Sequence, residues 1–174
     1  MWLSVLVLGC TAPGGEPRGE PRDAGSADAA PVPPGQSEAV PLPHLALPDL
    51  QGRLRPLRAS DNEVTVINFW ATWCVPCLKE IPELVALGHE HGSDGVRVVG
   101  IAVESGDPED IAAFVVAHGM DYRVLLAKYA WAQRHFGVFG LPVTLIVDRS
   151  GTVRRRLVGP HTLAQFAAAI RPHL

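Results

Sequence analysis

The chain has 174 residues, 15 basic and 18 acidic side chains, and a formal net charge of −3. That length suits one ordinary domain with some chain to spare, not two full domains. The charge lacks the basic excess of a nucleic-acid binder, no apolar run approaches the roughly 18 residues of a membrane-spanning helix, and three cysteines are too few for a disulfide-stapled scaffold.

In chain order, residues 2–8 form a short apolar run, Trp-Leu-Ser-Val-Leu-Val-Leu, followed by Gly9 and Cys10. Val7-Leu8-Gly9-Cys10 resembles a bacterial lipobox. That resemblance implies a lipoprotein signal peptide over residues 1–9, removed to leave Cys10 as a lipidated first residue. Residues 11–43 then hold 8 Pro, 5 Gly and 6 Ala, with Arg18 and Arg22 against Glu16, Glu20, Asp23, Asp28 and Glu38. The net charge of the chain therefore falls entirely on this stretch. It has too little apolar surface to offset the entropy of ordering, so residues 10–43 read as a disordered Pro/Gly/Ala-rich tether. Residues 44–174 carry 13 basic and 13 acidic groups and suffice for one compact domain.

Within that domain, residues 45–48 and 53–57 flank a turn at Asp49-Leu50-Gln51-Gly52 and predict a short, proline-blunted hairpin. Residues 64–69, Val-Thr-Val-Ile-Asn-Phe, suit a buried central strand. A helix over about 74–87 follows, with Cys77, Ile81, Leu84 and Val85 inward, Lys79, Glu80 and Glu83 outward, and Pro82 as an expected kink. Residues 96–103 predict a second buried strand. Asp107-Pro108 opens a helix that ends near Gly119, residues 122–126 are a short strand, and 128–136 a further helix. Residues 143–147 and 153–158 read as an antiparallel hairpin, and Leu163, Phe166, Ala167 and Ile170 mark a last amphipathic helix. The order βαβαβαββα implies an α/β fold with a mixed sheet covered on both faces.

The sharpest chemical signal is Trp73-Cys74-Val75-Pro76-Cys77, placed where a buried strand ends and a helix begins. Two thiols at i and i+3 on a first helical turn lie within the reach of a disulfide, about 4.4–6.8 Å between Cα atoms. Free N–H groups and the partial positive charge of the helix start favour thiolate over thiol at the more exposed Cys74. Cys77, one turn deeper, is the resolving thiol. Pro76 has no N–H to lose and fits the first helical turn. This arrangement predicts thiol–disulfide exchange through a Cys74–Cys77 disulfide, with no cofactor and no metal. A zinc site would need two further ligands, and His89 and His91 stand at an unhelpful i, i+2 spacing.

The segment Asn68-Phe69-Trp70-Ala71-Thr72-Trp73-Cys74-Val75-Pro76-Cys77-Leu78-Lys79-Glu80-Ile81-Pro82 resembles the active site of the thioredoxin superfamily, and in particular of TlpA/ResA-like membrane-anchored thiol-disulfide oxidoreductases. Residues 140–148, Gly-Leu-Pro-Val-Thr-Leu-Ile-Val-Asp, resemble the family's second hallmark, with Val143 where Thr is common. The resemblance implies a thioredoxin-like three-layer sandwich with an extra N-terminal β-hairpin. It implies that Pro142 is cis beside the cysteines and that Leu141 offers its backbone to a bound partner. It places Asn68 where cytoplasmic relatives have a buried acid, so that proton route to Cys77 is missing. Glu104 is the nearest candidate for an acid beside the cysteines, with a solvated strand-end carboxylate as the alternative. Trp73 shields the disulfide, Trp70 and Trp131 belong to packing, and Arg154-Arg155-Arg156 protect a strand edge.

The implied function is extracytoplasmic: reduction of a disulfide in an oxidised target protein, with apocytochrome c or copper-site cysteines as family targets. A membrane thiol-disulfide electron donor recharges the pair, and a lipid anchor holds the protein on the periplasmic side of a bacterial membrane. Besides a tethered binding domain with incidental thiols, two other readings stay open. A disulfide oxidase or isomerase would show a potential near about −120 mV. A copper-delivery chaperone of the same fold would recruit His135 or His161.

Overall fold

The computed structural model describes residues 39–58 and 61–174. The expected signal peptide, the expected lipid site Cys10 and the expected tether up to residue 38 lie outside the described residues. Strands β1 (Val40–Pro41), β2 (Ala46–Pro48), β3 (Leu54–Pro56) and β4 (Val64–Trp70) lead into helix α1 (Val75–His91). Strand β5 (Val96–Val103), helix α2 (Pro108–Ala117), strand β6 (Arg123–Ala127) and helix α3 (Tyr129–Phe136) follow. Strands β7 (Val143–Val147) and β8 (Thr152–Val158) and helix α4 (Leu163–Ile170) complete the chain.

Six strands form one mixed sheet in the order β1-β8-β7-β4-β5-β6, and β2-β3 form a separate hairpin. β4 is parallel to β5 and antiparallel to β7, so it lies at the centre with both faces covered. Every residue of β4 is buried, as its near-continuous apolar run requires. One face packs Ile67, Phe69, Val99, Ile101 and Leu145 against Ala132 and Phe136 of α3 and Leu47 of the hairpin. The other packs Val64, Val66, Val98 and Ile146 against Leu84 and Leu87 of α1 and Phe166 and Ile170 of α4. Toward the C-terminal end of β4, Trp70, Ala102 and Val124 meet Cys77 and Ile81 of α1 and Ile111 of α2. This is a thioredoxin-like three-layer sandwich with extra N-terminal strands, as the sequence resemblance implied.

Two boundaries differ from the sequence reading. Ordered structure begins before residue 44: Val40 pairs with Val153, and Leu42 is buried. A two-residue strand inside a proline-rich stretch leaves no periodic signal. α1 runs on to His91, and Pro82 sits inside it.

Close packing under the site fixes one glycine. A Cβ on Gly100 of β5 would stand 2.8 Å from Trp70 Nε1 and 3.0 Å from Tyr122 Cε2. Trp70 is fully buried and Tyr122 is packed against the core, so neither ring yields cheaply. Gly100→Ala is expected to destabilise the protein by about 1–3 kcal/mol, seen as a lower urea midpoint with an unchanged slope.

Candidate active site

The end of β4 delivers Ala71–Trp73 to a turn closed by Cys74 N–H donating to Ala71 O at 3.1 Å. Cys74 is the N-cap of α1, with extended backbone at φ −88°, ψ 95°. Its sulfur accepts from Cys77 N–H at 3.3 Å, and its carbonyl accepts from Cys77 and Leu78 N–H at 3.0 and 3.3 Å. The sequence-predicted pair is therefore joined as a Cys74–Cys77 disulfide, with Cα atoms 5.3 Å apart. Cys74 occupies the capping position that serine or aspartate takes in other helices, so a thiolate there is solvated by a backbone N–H. The first turn of α1 contains no acidic residue to oppose that charge. Val75 and Pro76 are exposed, and Pro76 stands in the first turn without a donor to forfeit.

The turn is clamped to the loop after β5. Trp73 Nε1 donates to Glu104 O at 2.9 Å, Thr72 N–H to Ser105 Oγ at 3.3 Å, and Thr72 Oγ1 to Ser105 O at 3.1 Å. Trp73 remains 61% exposed beside the disulfide. Glu104 has a positive φ of 45° and an exposed side chain. Its Oε1 accepts from Tyr129 N–H at 3.1 Å, the first helical N–H of α3. Its carbonyl thus serves the active-site turn, while its carboxylate serves another helix.

Leu141–Pro142 is cis. Leu141 packs against the cluster that holds both cysteines, and Pro142 O accepts from Gly159 N–H at 3.0 Å. Trp70 is fully buried. Trp131 packs on Phe136, with ring centres 5.5 Å apart, and on His135 at 5.0 Å. Arg154 pairs with Asp148 at 2.5 Å, and Arg156 donates to Phe136 O and Gly137 O at 2.6 and 2.9 Å.

Sequence reasoning missed the acid of this site. Glu80, read as outward-facing, is 1% exposed on the inner face of α1, one turn beyond Cys77. Its Oε2 accepts from Asn68 Nδ2 at 2.9 Å, and its Oε1 from His161 N–H at 3.1 Å. Asn68 also donates to Thr144 Oγ1 at 2.9 Å, so three buried polar side chains from α1, β4 and β7 satisfy one another. Burial outweighs these two hydrogen bonds and pushes the Glu80 carboxyl up from 4.5 to about 7. The Tyr122 hydroxyl is also pushed up, first by burial and then by the charges of Glu80 and Asp121. A buried carboxyl therefore lies one helical turn from Cys77, supplied from the helix and not from position 68. Glu83, partly buried and not wholly outward, accepts from Leu163 N–H at 2.7 Å. Two carboxylates of α1 thus hold the segment that enters α4. Among the described residues, no group of three or more His, Cys, Asp or Glu is gathered to hold a metal ion.

A disulfide at a helix N-cap, a cis-proline loop packed with it and a buried acid one turn below define a thioredoxin-fold thiol-disulfide oxidoreductase. The chain matches the AhpC/TSA family over residues 39–156 and belongs to it. It is 36% identical to "Thiol:disulfide interchange protein DsbE" of Allochromatium vinosum, covering 76% of this chain and 72% of that protein. It is 29% identical to "Thiol-disulfide oxidoreductase ResA" of Geobacillus thermodenitrificans, covering 75% and 76%. Among solved structures it superposes on a thioredoxin-family thiol:disulfide interchange protein from Chlorobium tepidum TLS, with a TM-score of 0.69, 26% identity, and coverage of 80% of this chain and 99% of that one.

Proposed function

We propose that this protein reduces disulfides of partner proteins outside the cytoplasm. Cys74, as thiolate, attacks one sulfur of the target disulfide. That bond breaks, the distal target sulfur leaves as thiolate, and a mixed disulfide forms on Cys74. Cys77 gives its proton to Glu80 and attacks Cys74 Sγ. The second target sulfur leaves, and two electrons have passed from the dithiol to the target.

The observation that carries this reading is the placement of the Cys74–Cys77 pair at the α1 N-cap above a buried carboxyl pushed up to about 7. A group poised near neutrality both accepts and returns a proton. Exposed Trp73 and Val75 on the active-site turn, and Phe139 and Val158 beside the cis-proline loop, offer an apolar surface suited to a protein partner. Kinship with DsbE and ResA supports oxidised apocytochrome c, or copper-site cysteines, as targets. It also supports recharging by a membrane thiol-disulfide donor. The lipobox-like residues before Cys10 support a lipid anchor on the extracytoplasmic side.

Cys77→Ala tests the reading. The mixed disulfide then has no resolving thiol, so the target stays bound to Cys74 and is recovered on non-reducing gels. We expect capture of a cysteine-containing extracytoplasmic protein, released by dithiothreitol. Capture of nothing, with insulin also left intact by the unaltered protein, would overturn the proposal. A midpoint near about −120 mV would mark an oxidase instead.

A further inference from the structure

Glu80 is sealed from solvent, yet the exchange just proposed needs its proton to come and go. Around it, Asn68 of β4 and Thr144 of β7 form an uncharged wall. Cys77 lies one turn back along α1, and Glu83 one turn forward is engaged with Leu163 N–H. Tyr122, ahead of β6, is a buried hydroxyl without a hydrogen-bond partner, and its proton is held more tightly than usual. The remaining titratable neighbour is His161, on the segment entering α4. Its Nδ1 lies 3.8 Å from Glu80 Oε1, and its side chain is 19% exposed, against 1% for Glu80. The same Nδ1 lies 2.7 Å from Gly159 O, an acceptor-only atom, so Nδ1 carries a proton there and Nε2 is free to exchange. The backbone of His161 is fixed to Glu80 by its own N–H, which holds the ring Nδ1 near both Gly159 O and the carboxylate. The ring rests against Phe166, with centres 5.8 Å apart.

We propose that His161 is a positioning and relay residue that carries protons between solvent and Glu80 during thiol–disulfide exchange. The inference rests on the exchange reading above and goes beyond it. During target reduction, Cys77 transfers its proton to Glu80 as it attacks Cys74. Glu80 passes that proton to Nδ1 of the neutral Nε2–H imidazole, and the imidazolium releases the Nε2 proton to water. During recharging, two electrons from the donor thiols break the Cys74–Cys77 bond. Water protonates Nε2, the imidazolium gives its Nδ1 proton to Glu80, and Glu80 protonates the departing Cys77 thiolate. Each direction moves one proton and switches the tautomer, from Nε2–H in the reduced protein to the Nδ1–H seen against Gly159 O in the oxidised one and back, so the histidine is restored over the full cycle. Carboxyl and imidazole are both general acid–base groups, and here they face each other across 3.8 Å.

A relay alters rates and leaves equilibria alone. The test compares the unaltered protein with His161→Ala and His161→Asn, all full-length and folded by circular dichroism. Insulin reduction and stopped-flow resolution of a mixed disulfide are followed from pH 5 to 9, with and without added imidazole. We expect His161→Ala to slow resolution about 10-fold or more, to change the pH profile, and to recover speed as imidazole is added. The Cys74–Cys77 midpoint potential stays at the unaltered value. His161→Asn restores the hydrogen bond to Gly159 but not the rate. Equal rates in all three proteins overturn the relay and leave the exchange reading intact. So does a slow His161→Ala that imidazole does not rescue, or one whose potential moves, since either marks a structural part. Failure of the unaltered protein to reduce insulin removes the exchange reading itself, and the relay with it.

Discussion

Cys74→Ser is expected to abolish insulin reduction, with a fall on the order of 10⁴-fold or more, the scale on which loss of a covalent nucleophile is felt. The reason lies in charge. A thiolate at the α1 N-cap is stabilised by Cys77 N–H and by the helix terminus, whereas a serine hydroxyl in the same place stays protonated at neutral pH. Serine is a good N-cap, so helix α1 keeps its start and the fold survives. The variant therefore separates chemistry from structure: circular dichroism and urea midpoint stay near those of the reduced parent, while turnover vanishes. Residual activity above a hundredth of the parent would move the nucleophile elsewhere.

Glu80→Gln is expected to act on both stability and rate. In the folded, oxidised protein Glu80 holds its proton up to about 7, while in the unfolded chain it releases it near 4.5. The folded state thus binds a proton that the unfolded state has lost between those values. The contribution is complete below pH 4.5, shrinks as pH rises, and is gone above pH 7, a change of roughly 3 kcal/mol. Urea unfolding at pH 5 and pH 8 should show this loss in the parent and not in Glu80→Gln. The carboxyls of Asp49 and Asp148 are held below their ordinary range. Burial opposes their ionisation, but hydrogen bonds from Arg53 and from Ser150, with others, prevail. Their stabilisation is lost only in acid, outside this window. Glutamine also has one carbonyl oxygen for two inward-facing donors, Asn68 Nδ2 and His161 N–H, so a constant penalty of about 1–3 kcal/mol accompanies the flattened slope. Resolution of the mixed disulfide should slow by about 10²-fold, because Cys77 loses its proton acceptor. Parallel stability profiles for the two proteins would show that the carboxyl is not held protonated by burial.

The difference between what was legible and what was not has a common cause. β4, the two cysteines and Pro142 are written locally, in an apolar run, a spacing and a dipeptide. The relation among Glu80, Asn68, Thr144 and His161 joins four elements, with partners 12, 76 and 81 residues apart. Residue type argued that Glu80 faces water, yet its position argued otherwise, since 77, 80, 84 and 87 fall on one helical stripe and all four are buried. Two of the polar residues in the fully buried strands β4 and β7 were the available hint. Asn68 and Thr144 needed partners, and a carboxylate on the facing stripe of α1 supplies the acceptor. Glu104 shows the opposite case: its strand-end position was right, but a positive φ turns its carboxylate toward α3 and leaves only its carbonyl for Trp73.

The short pairing of β1 with β8 has a mechanical consequence. Whatever precedes Val40 joins the domain at the outer rim of the sheet, three strand positions from β4, or about 14 Å across the ribbons. The proposed tether, attached there, would pull on a two-residue zipper and not on the strand that ends in the cysteines. Tension between an anchor and a docked client would be taken up at the periphery, leaving the geometry of the sulfur atoms undisturbed.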